Sequence, residues 1–516
     1  MTREKSLAIP ATLTAIIVGL ANLSYLAVNR LHPDEAYYWV WSRKLAWGYF
    51  DNSPLIAYVI RFFTNIGGNS EFWVRFPAFL GWIWVIGFSF FFALKIYRKR
   101  SVAYLALLIA LFVPLLASGS HIMTPDIPLI FFASIVLYYL YRAIEEERKN
   151  AWYGAGFFLG LALLAKFQAI LLLGSILLML LLRSTKRRWL HRKEPYLAAL
   201  ISLLMFTPVL YWNWTHQWAS FAYQAQHGIH HTFKMVHLGE FLGGQVLVFS
   251  LLFIVLIYYA IKRTFQWHDR KSADLFLMYC FMPVFLFFGF TSLTYPALPN
   301  WPAIGYLPAI IFLAAQLQRA LEGAGKIGRF FIRTVLGISF IVSILLLTLV
   351  RYPDIAVSRL HIDLPSKLIL TNSTFGYQPL AAQVDKIIVE NFGTAKAVPL
   401  FGDSYQTAAE LQFYVSKPVT VFTTREAHRC QYDYITAAQI GAYDGQGGLL
   451  VLSGALPPTA SQYFQAITLV EKMAFSRFGN PVRSFNIYRF EKLNASALYQ
   501  MAVNKPLGYP GTYPAQ

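Results

Sequence analysis

Apolar runs about 20 residues long recur from residue 7 to residue 350, separated by short basic loops. Wound as a helix at about 1.5 Å per residue, such a run matches the roughly 30 Å hydrocarbon layer of a bilayer. Lipid offers backbone groups no hydrogen bonds, and barrel strands are about half this length, so these runs are expected to be helices. The pattern predicts a polytopic α-helical membrane protein of about 11 spans. They fall near residues 7–28, 72–94, 101–118, 126–142, 152–165, 167–182, 195–212, 243–261, 274–293, 301–318 and 330–350. Composition agrees: 57% of residues are hydrophobic and 13% charged, against roughly 25% charged in soluble domains. After the first run stands Asn29-Arg30-Leu31-His32, a poor match to a cleavage site. That run is expected to be a retained helix rather than a signal peptide.

The net charge of +19 resides largely in the loops. Its placement argues for topology and against nucleic-acid binding, with contact to anionic lipid headgroups as a secondary effect. Residues 152–182 are too long for one crossing, and Lys166 interrupts them, so the run is divided there. With the N-terminus inside, inner loops hold 23 Lys and Arg and outer loops 7. Without the division the basic loops land on both sides. Cys280 and Cys430 lie far apart, so neither a disulfide nor a cysteine metal site is expected.

After residue 351 the composition turns polar and mixed. Strand-like runs at 397–400, 419–422 and 449–452 alternate with a helix-like run at 407–414. The chain therefore divides into a membrane domain, 1–351, and an α/β domain, 352–516, outside by the span count. The first outer loop, 29–71, is long and aromatic, and residues 35–45 read as an amphipathic helix at the lipid interface.

The chain has only 25 Asp and Glu in 516 residues, and three of them fall within residues 34–51 of this first loop. Asp34 and Glu35 follow His32-Pro33, and Asp51 follows Gly48-Tyr49-Phe50 and precedes Pro54. Each has a bland reading: Asp34 as a helix cap, Asp51 as an Asx-turn. Asp126, in Thr124-Pro125-Asp126-Ile127-Pro128, fits helix capping too, yet it returns to the outer face. Lys166 and Arg75 are cations near the same face. Snorkelling accounts for such a lysine, and phosphate binding suits both. His216, His227, His230, His231 and His237 show no tight ligand spacing and read as interfacial loop residues. Acids and cations gathered at one face fit a reaction in which an acid activates a hydroxyl and cations stabilise a departing phosphate.

These residues resemble the family 39-like group of GT-C integral-membrane glycosyltransferases. That group includes the aminoarabinose transferase of lipid A and galacturonosyl transferases of lipopolysaccharide, and is related to protein O-mannosyltransferases. The matching pieces are His32 to Tyr38, Trp47 to Leu55, Val74 to Pro77, Thr124 to Leu129, Ala165 to Phe167, Pro299 to Ala303 and Asp403 to Leu411. The resemblance implies a GT-C architecture and inverting transfer from a polyprenyl-phosphate sugar to a lipid A, lipopolysaccharide or other envelope acceptor. It implies a bacterial inner-membrane enzyme with a cytoplasmic N-terminus and a periplasmic C-terminal domain. Asp34 corresponds to the favoured catalytic acid, with Asp126 and Glu35 beside it. Lys166, Arg75, Asp51 and Tyr37 fall where the lipid phosphate and donor would bind, and in some relatives the acid at Asp51 helps hold a divalent metal. Asn52-Ser53 stands where relatives carry lysine or histidine, which leaves both phosphate contact and a metal there open. Protein O-glycosylation is the alternative within the class; a lipid-linked-sugar flippase or transporter is the rival from another. A membrane-anchored scaffold leaves the rigid acidic motifs unexplained.

Overall fold

The computed structural model describes residues 2–228, 233–265, 272–359, 361, 369–423, 429–435 and 437–504. The chain opens with α1 (Thr2–Tyr25), α2 (Pro33–Arg43), α3 (Leu55–Gly67), α4 (Glu71–Tyr97), α5 (Arg100–Phe112) and α6 (Pro114–Ser118). There follow α7 (Asp126–Ile144), α8 (Ala151–Ala165), α9 (Ile170–Leu182), α10 (Lys193–Thr215) and α11 (Ala219–Gly228). The helical part ends with α12 (Met235–Phe249), α13 (Leu252–Phe265), α14 (Ser272–Thr291), α15 (Ala303–Gly323) and α16 (Lys326–Arg351).

Among the described residues, six helices (α4, α7, α10, α14, α15 and α16) are long and apolar enough to cross a membrane. The pair α12–α13 makes a seventh if counted as one span. The other four expected spans fall on shorter apolar helices of 10–17 residues. The run at 243–261, expected to be one straight span, is broken: α12 and α13 meet at 109°. Ser250, between them, takes a left-handed φ of 68°, and its hydroxyl is tied to Ser339 O on α16 at 3.1 Å. That anchor fixes the chain in a conformation a straight helix cannot accommodate.

Packing follows side-chain size. α15 runs through the middle of the bundle, its Ala- and Gly-rich surface buried on all sides against α4, α5, α7 and α14. Gly156 and Gly160 on α8 let that helix meet α10 backbone to backbone; a Cβ at Gly156 would lie 2.3 Å from Ala198 O. Small residues four apart are the usual route to such contacts between membrane helices. At Lys166 the backbone extends (φ −160°, ψ 139°), so α8 ends and α9 begins after one short turn.

The C-terminal part is an α/β unit. Helices α17 (Tyr377–Asn391) and α18 (Tyr405–Tyr414) flank strands β1 (Val398–Gly402), β2 (Val419–Thr423) and β3 (Gly448–Leu452). Beyond a short β4 (Phe464–Gln465), the hairpin β5 (Thr468–Arg477) and β6 (Asn480–Phe490) completes a sheet of order β2-β1-β3-β6-β5. The first three strands are parallel, β6 runs antiparallel to β3, and β5 pairs antiparallel with β6 at the edge. Loop 29–71 is not an outlying appendage. Ala36, Tyr37, Val40 and Trp41 of α2 share one buried cluster with Leu380, Leu400, Leu411 and Val451 of the α/β unit. The expected interfacial helix at 35–45 is therefore corrected: α2 is clamped between α3 and α18, with most of its residues buried in protein. Its aromatic face fits a protein interior as well as a bilayer surface.

Candidate active site

The capping of α2 sorts the two neighbouring acids. His32 is the N-cap, its Nδ1 accepting the Asp34 N–H, and Pro33 starts the helix. Glu35, three residues on, accepts the His32 N–H at 2.9 Å, closing a capping box. Asp34, one step earlier, turns elsewhere.

Glu35 is fully buried. Its carboxylate takes Arg75 Nη2 at 2.6 Å, Arg75 Nε at 3.0 Å and the Met123 N–H at 2.8 Å. Arg75 gives its remaining donors to the carbonyls of Leu26, Asn29 and Arg30. All five guanidinium N–H groups are thus engaged, and none is left for a lipid phosphate. Two expectations are corrected here. Arg75, on α4, braces α2 and the connection between α1 and α2, and Glu35 is its partner, not a group that meets substrate.

Asp34, Tyr37, Asp51, Asp126 and Lys166 do come together, on the wall of one cavity of about 440 Å³. The Asp34 side chain is 42% exposed, so a substrate hydroxyl can reach it. Its Oδ1 accepts the hydroxyl of Tyr405, at the start of α18, at 3.1 Å. Asp126, at the first position of α7, accepts Lys166 Nζ at 2.7 Å on one oxygen and Asn300 Nδ2 at 2.9 Å on the other. The break between α8 and α9 is what turns Lys166 inward. Lys166 is the one cation lining this cavity among the described residues. An ammonium carries three N–H donors, and among the described residues only Asp126 takes one of them.

Asp51 accepts the Tyr37 hydroxyl at 2.7 Å. Burial pushes its carboxyl up to about 7; the Tyr37 hydroxyl pulls the other way, and nearby Asp34 and Asp433 add to the rise. Gln431 of the α/β unit ties this corner down, its N–H donating to Tyr37 Oη at 2.6 Å and its Oε1 accepting the Phe50 N–H at 2.7 Å. The Asn52-Ser53 departure has a structural side: Ser53 Oγ donates to Leu163 O near the end of α8, docking the loop beside Lys166.

A divalent metal at Asp51 would need further ligands. Among the described residues no three His, Cys, Asp or Glu side chains gather to supply them. His216 stacks on Trp212 and His237 pairs with Glu240. His230, His231 and the side chain of His227 lie outside the described residues.

Sequence reasoning assigned no role to Tyr405, Asn300 or Gln224, which line the same cavity. Tyr405 and Asn300 sit inside motifs already singled out, so a signal existed. Gln224, whose Nε2 donates to Asp51 O at 2.7 Å, carried none.

Comparison with known proteins follows the same lines. Residues 51–212 match the family model described as dolichyl-phosphate-mannose-protein mannosyltransferase. The lipid A galacturonosyltransferase RgtD of Rhizobium johnstonii (strain DSM 114642 / LMG 32736 / 3841) is 25% identical over 299 residues. That match covers 54% of this chain and 59% of RgtD, so the chain spans under two thirds of the curated relative. Among solved structures, apo ArnT from Cupriavidus metallidurans has the same fold, with a TM-score of 0.60 at 17% identity, covering 98% of this chain and 99% of ArnT. ArnT bound to undecaprenyl phosphate gives a TM-score of 0.60 at 17% identity, covering 93% and 97%. The archaeal oligosaccharyltransferase AglB from Archaeoglobus fulgidus, in complex with an inhibitory peptide and a dolichol-phosphate, gives 0.51 at 11% identity, covering 92% and 74%.

Proposed function

We propose that this chain is a multi-pass membrane glycosyltransferase of the family 39-like GT-C group, supported by its similarity to the mannosyltransferase family model, RgtD and the ArnT fold, and that it is an inverting transferase using a polyprenyl-phosphate sugar. The observation that carries this reading is the shared cavity of Asp34, Asp126 and Lys166. One exposed carboxylate and a cation on the wall of a cavity of about 440 Å³ suit a lipid phosphate donor and a hydroxyl acceptor. Asp34 takes the proton of the acceptor hydroxyl as its oxygen attacks the anomeric carbon. The bond from that carbon to the phosphate oxygen breaks from the opposite side, which inverts the centre. The negative charge developing on the polyprenyl phosphate meets Lys166 Nζ, held by Asp126, whose other oxygen is fixed by Asn300. Asp51 and Tyr37 form the donor-facing wall.

The acceptor we favour is lipid A, lipopolysaccharide or another envelope glycan; RgtD is itself a lipid A galacturonosyltransferase. The loop-charge bias supports an inner-membrane protein with its N-terminus in the cytoplasm. Tyr405 on the cavity wall ties the α/β unit to the end where Asp34 and Asp126 lie, in keeping with a periplasmic active face. A flippase would need free acids within the spans; Asp274, on α14, is paired with Arg319 and Tyr97.

The test is incubation of the purified chain with a labelled polyprenyl-phosphate sugar and lipopolysaccharide. Transfer of label to lipid A or core is expected, with none from a nucleotide sugar or a non-cleavable phosphonate donor. Movement of the phosphonate donor across vesicles without transfer would favour the flippase instead. Mass spectrometry of lipopolysaccharide from a deletion strain then names the sugar and its position.

A further inference from the structure

A second cavity, of about 340 Å³, opens where α1 and α16 end and the α/β unit begins. It shares no lining residue with the cavity of Asp34 and Lys166. Three arginines, Arg30, Arg351 and Arg477, line it together with one acid, Asp354. Two of the arginines are neutralised locally. Arg30 pairs with Glu71 at 3.0 Å, and Arg477 pairs with Asp354 at 3.1 Å and donates to Thr371 Oγ1 at 2.9 Å.

Arg351 differs. No carboxylate pairs with it among the described residues. Its Nη2 donates to Ala117 O at 3.1 Å and faces His121 Nδ1 at 3.3 Å. Its Nε is buried without an acceptor, and Nη1 has no hydrogen bond among the described residues. Burial, with Arg351 adding, pushes the His121 ring well below the usual histidine range, so it stays neutral and brings no counter-charge. The Tyr25 ring lies under the guanidinium at 5.4 Å, and the Tyr25 hydroxyl is committed to Arg351 O at 3.0 Å. The C-terminal dipole of α16 offsets only about half a charge. A largely buried cation normally has an anion beside it.

The surroundings indicate where that anion comes from. α16 is the least buried of the six long apolar helices, and its Ile341 and Leu345 are exposed, as are Ile17 and Leu20 on α1. These apolar faces run up to the mouth of the cavity, where Val28 is also exposed. We propose that this cavity binds the phosphate group of a membrane lipid lying along α1 and α16, with Arg351 as the anchor and Arg30 and Arg477 flanking. A guanidinium presents its N–H groups as a fork that matches phosphate oxygens.

The test is native mass spectrometry of the full chain in detergent, titrated with phosphatidylglycerol, diacylglycerol or inorganic phosphate. Phosphatidylglycerol should be retained and diacylglycerol, which lacks the phosphate, should not. Arg351→Gln should weaken retention about tenfold or more, the size expected for lost charge-assisted bonds, and Arg351→Lys should keep part of it. Competition of inorganic phosphate at the same site, lost in Arg351→Gln, would keep the phosphate chemistry while making its source free rather than lipid-borne. Equal retention by Arg351→Gln, or equal retention of diacylglycerol, overturns the proposal. If Arg351→Gln does not fold, the Arg30→Gln/Arg477→Gln double variant is read instead, and unchanged retention there overturns it as well.

Discussion

Two carboxylate–cation pairs support the same loop, and they have different fates. Glu35–Arg75 closes at 2.6 Å and Asp126–Lys166 at 2.7 Å, and all four side chains are largely buried. The difference lies in what each pair has left over. Arg75 has no free N–H, and Glu35 also holds two backbone N–H groups. Lys166 keeps donors to spare and stands on a cavity wall. A saturated pair builds the scaffold; a pair with unused hydrogen-bonding capacity facing a cavity can meet a substrate.

Removing one partner of each pair should therefore give opposite results. Arg75→Met strands a buried carboxylate and is expected to cost about 3–5 kcal/mol of stability, read by chemical denaturation in detergent. The folded fraction should turn over normally. A normally stable Arg75→Met with a raised KM for donor would instead make Arg75 a phosphate ligand and break the contrast. Lys166→Met should change stability less but lower kcat on the order of 10²–10³-fold, the effect of losing one donor to a developing anion. Unchanged donor affinity and turnover would remove Lys166 from the mechanism.

Tyr405→Phe sharpens the contrast from the α/β side. Loss of one hydrogen bond to Asp34 should lower kcat about tenfold, with the donor KM little changed. A purely structural Tyr405 would leave kcat per folded molecule unchanged. The smallest effect is on pH dependence of stability. The Asp51 carboxyl sits near 7, above its ordinary value of 3.8, so its folded state favours the neutral form. Its contribution is complete below about pH 4 and is lost as pH rises through 7. Wild type should thus lose stability relative to Asp51→Asn between pH 5 and pH 8; a constant difference would place Asp51 in a more hydrated setting.

Much of this was legible because periodicity and charge act over long stretches. The long apolar helices, the break at Lys166 and the strand runs at β1, β2 and β3 all follow from patterns of five residues or more. The rest depends on which partner a residue meets. An aromatic face such as Tyr37-Tyr38-Trp39-Trp41 reads the same against lipid or against α18, so the burial of α2 could not be read from it. Arg75 suits phosphate oxygens and backbone carbonyls equally, and only folding put Asn29 and Arg30 within reach. The bend at Ser250 depends on Ser339, 89 residues away. Glu35 and Asp34 are adjacent in sequence yet face opposite surroundings, because the capping box claims one of them.

That adjacency offers the most direct test. Sugar transfer from a polyprenyl-phosphate donor is measured for Asp34→Asn and Glu35→Gln side by side, with folded protein quantified in each. The expected result is a well-folded Asp34→Asn with turnover reduced by about 10²-fold or more, and a destabilised Glu35→Gln that is active per folded molecule. A folded, fully active Asp34→Asn would contradict the assignment of Asp34 as the base.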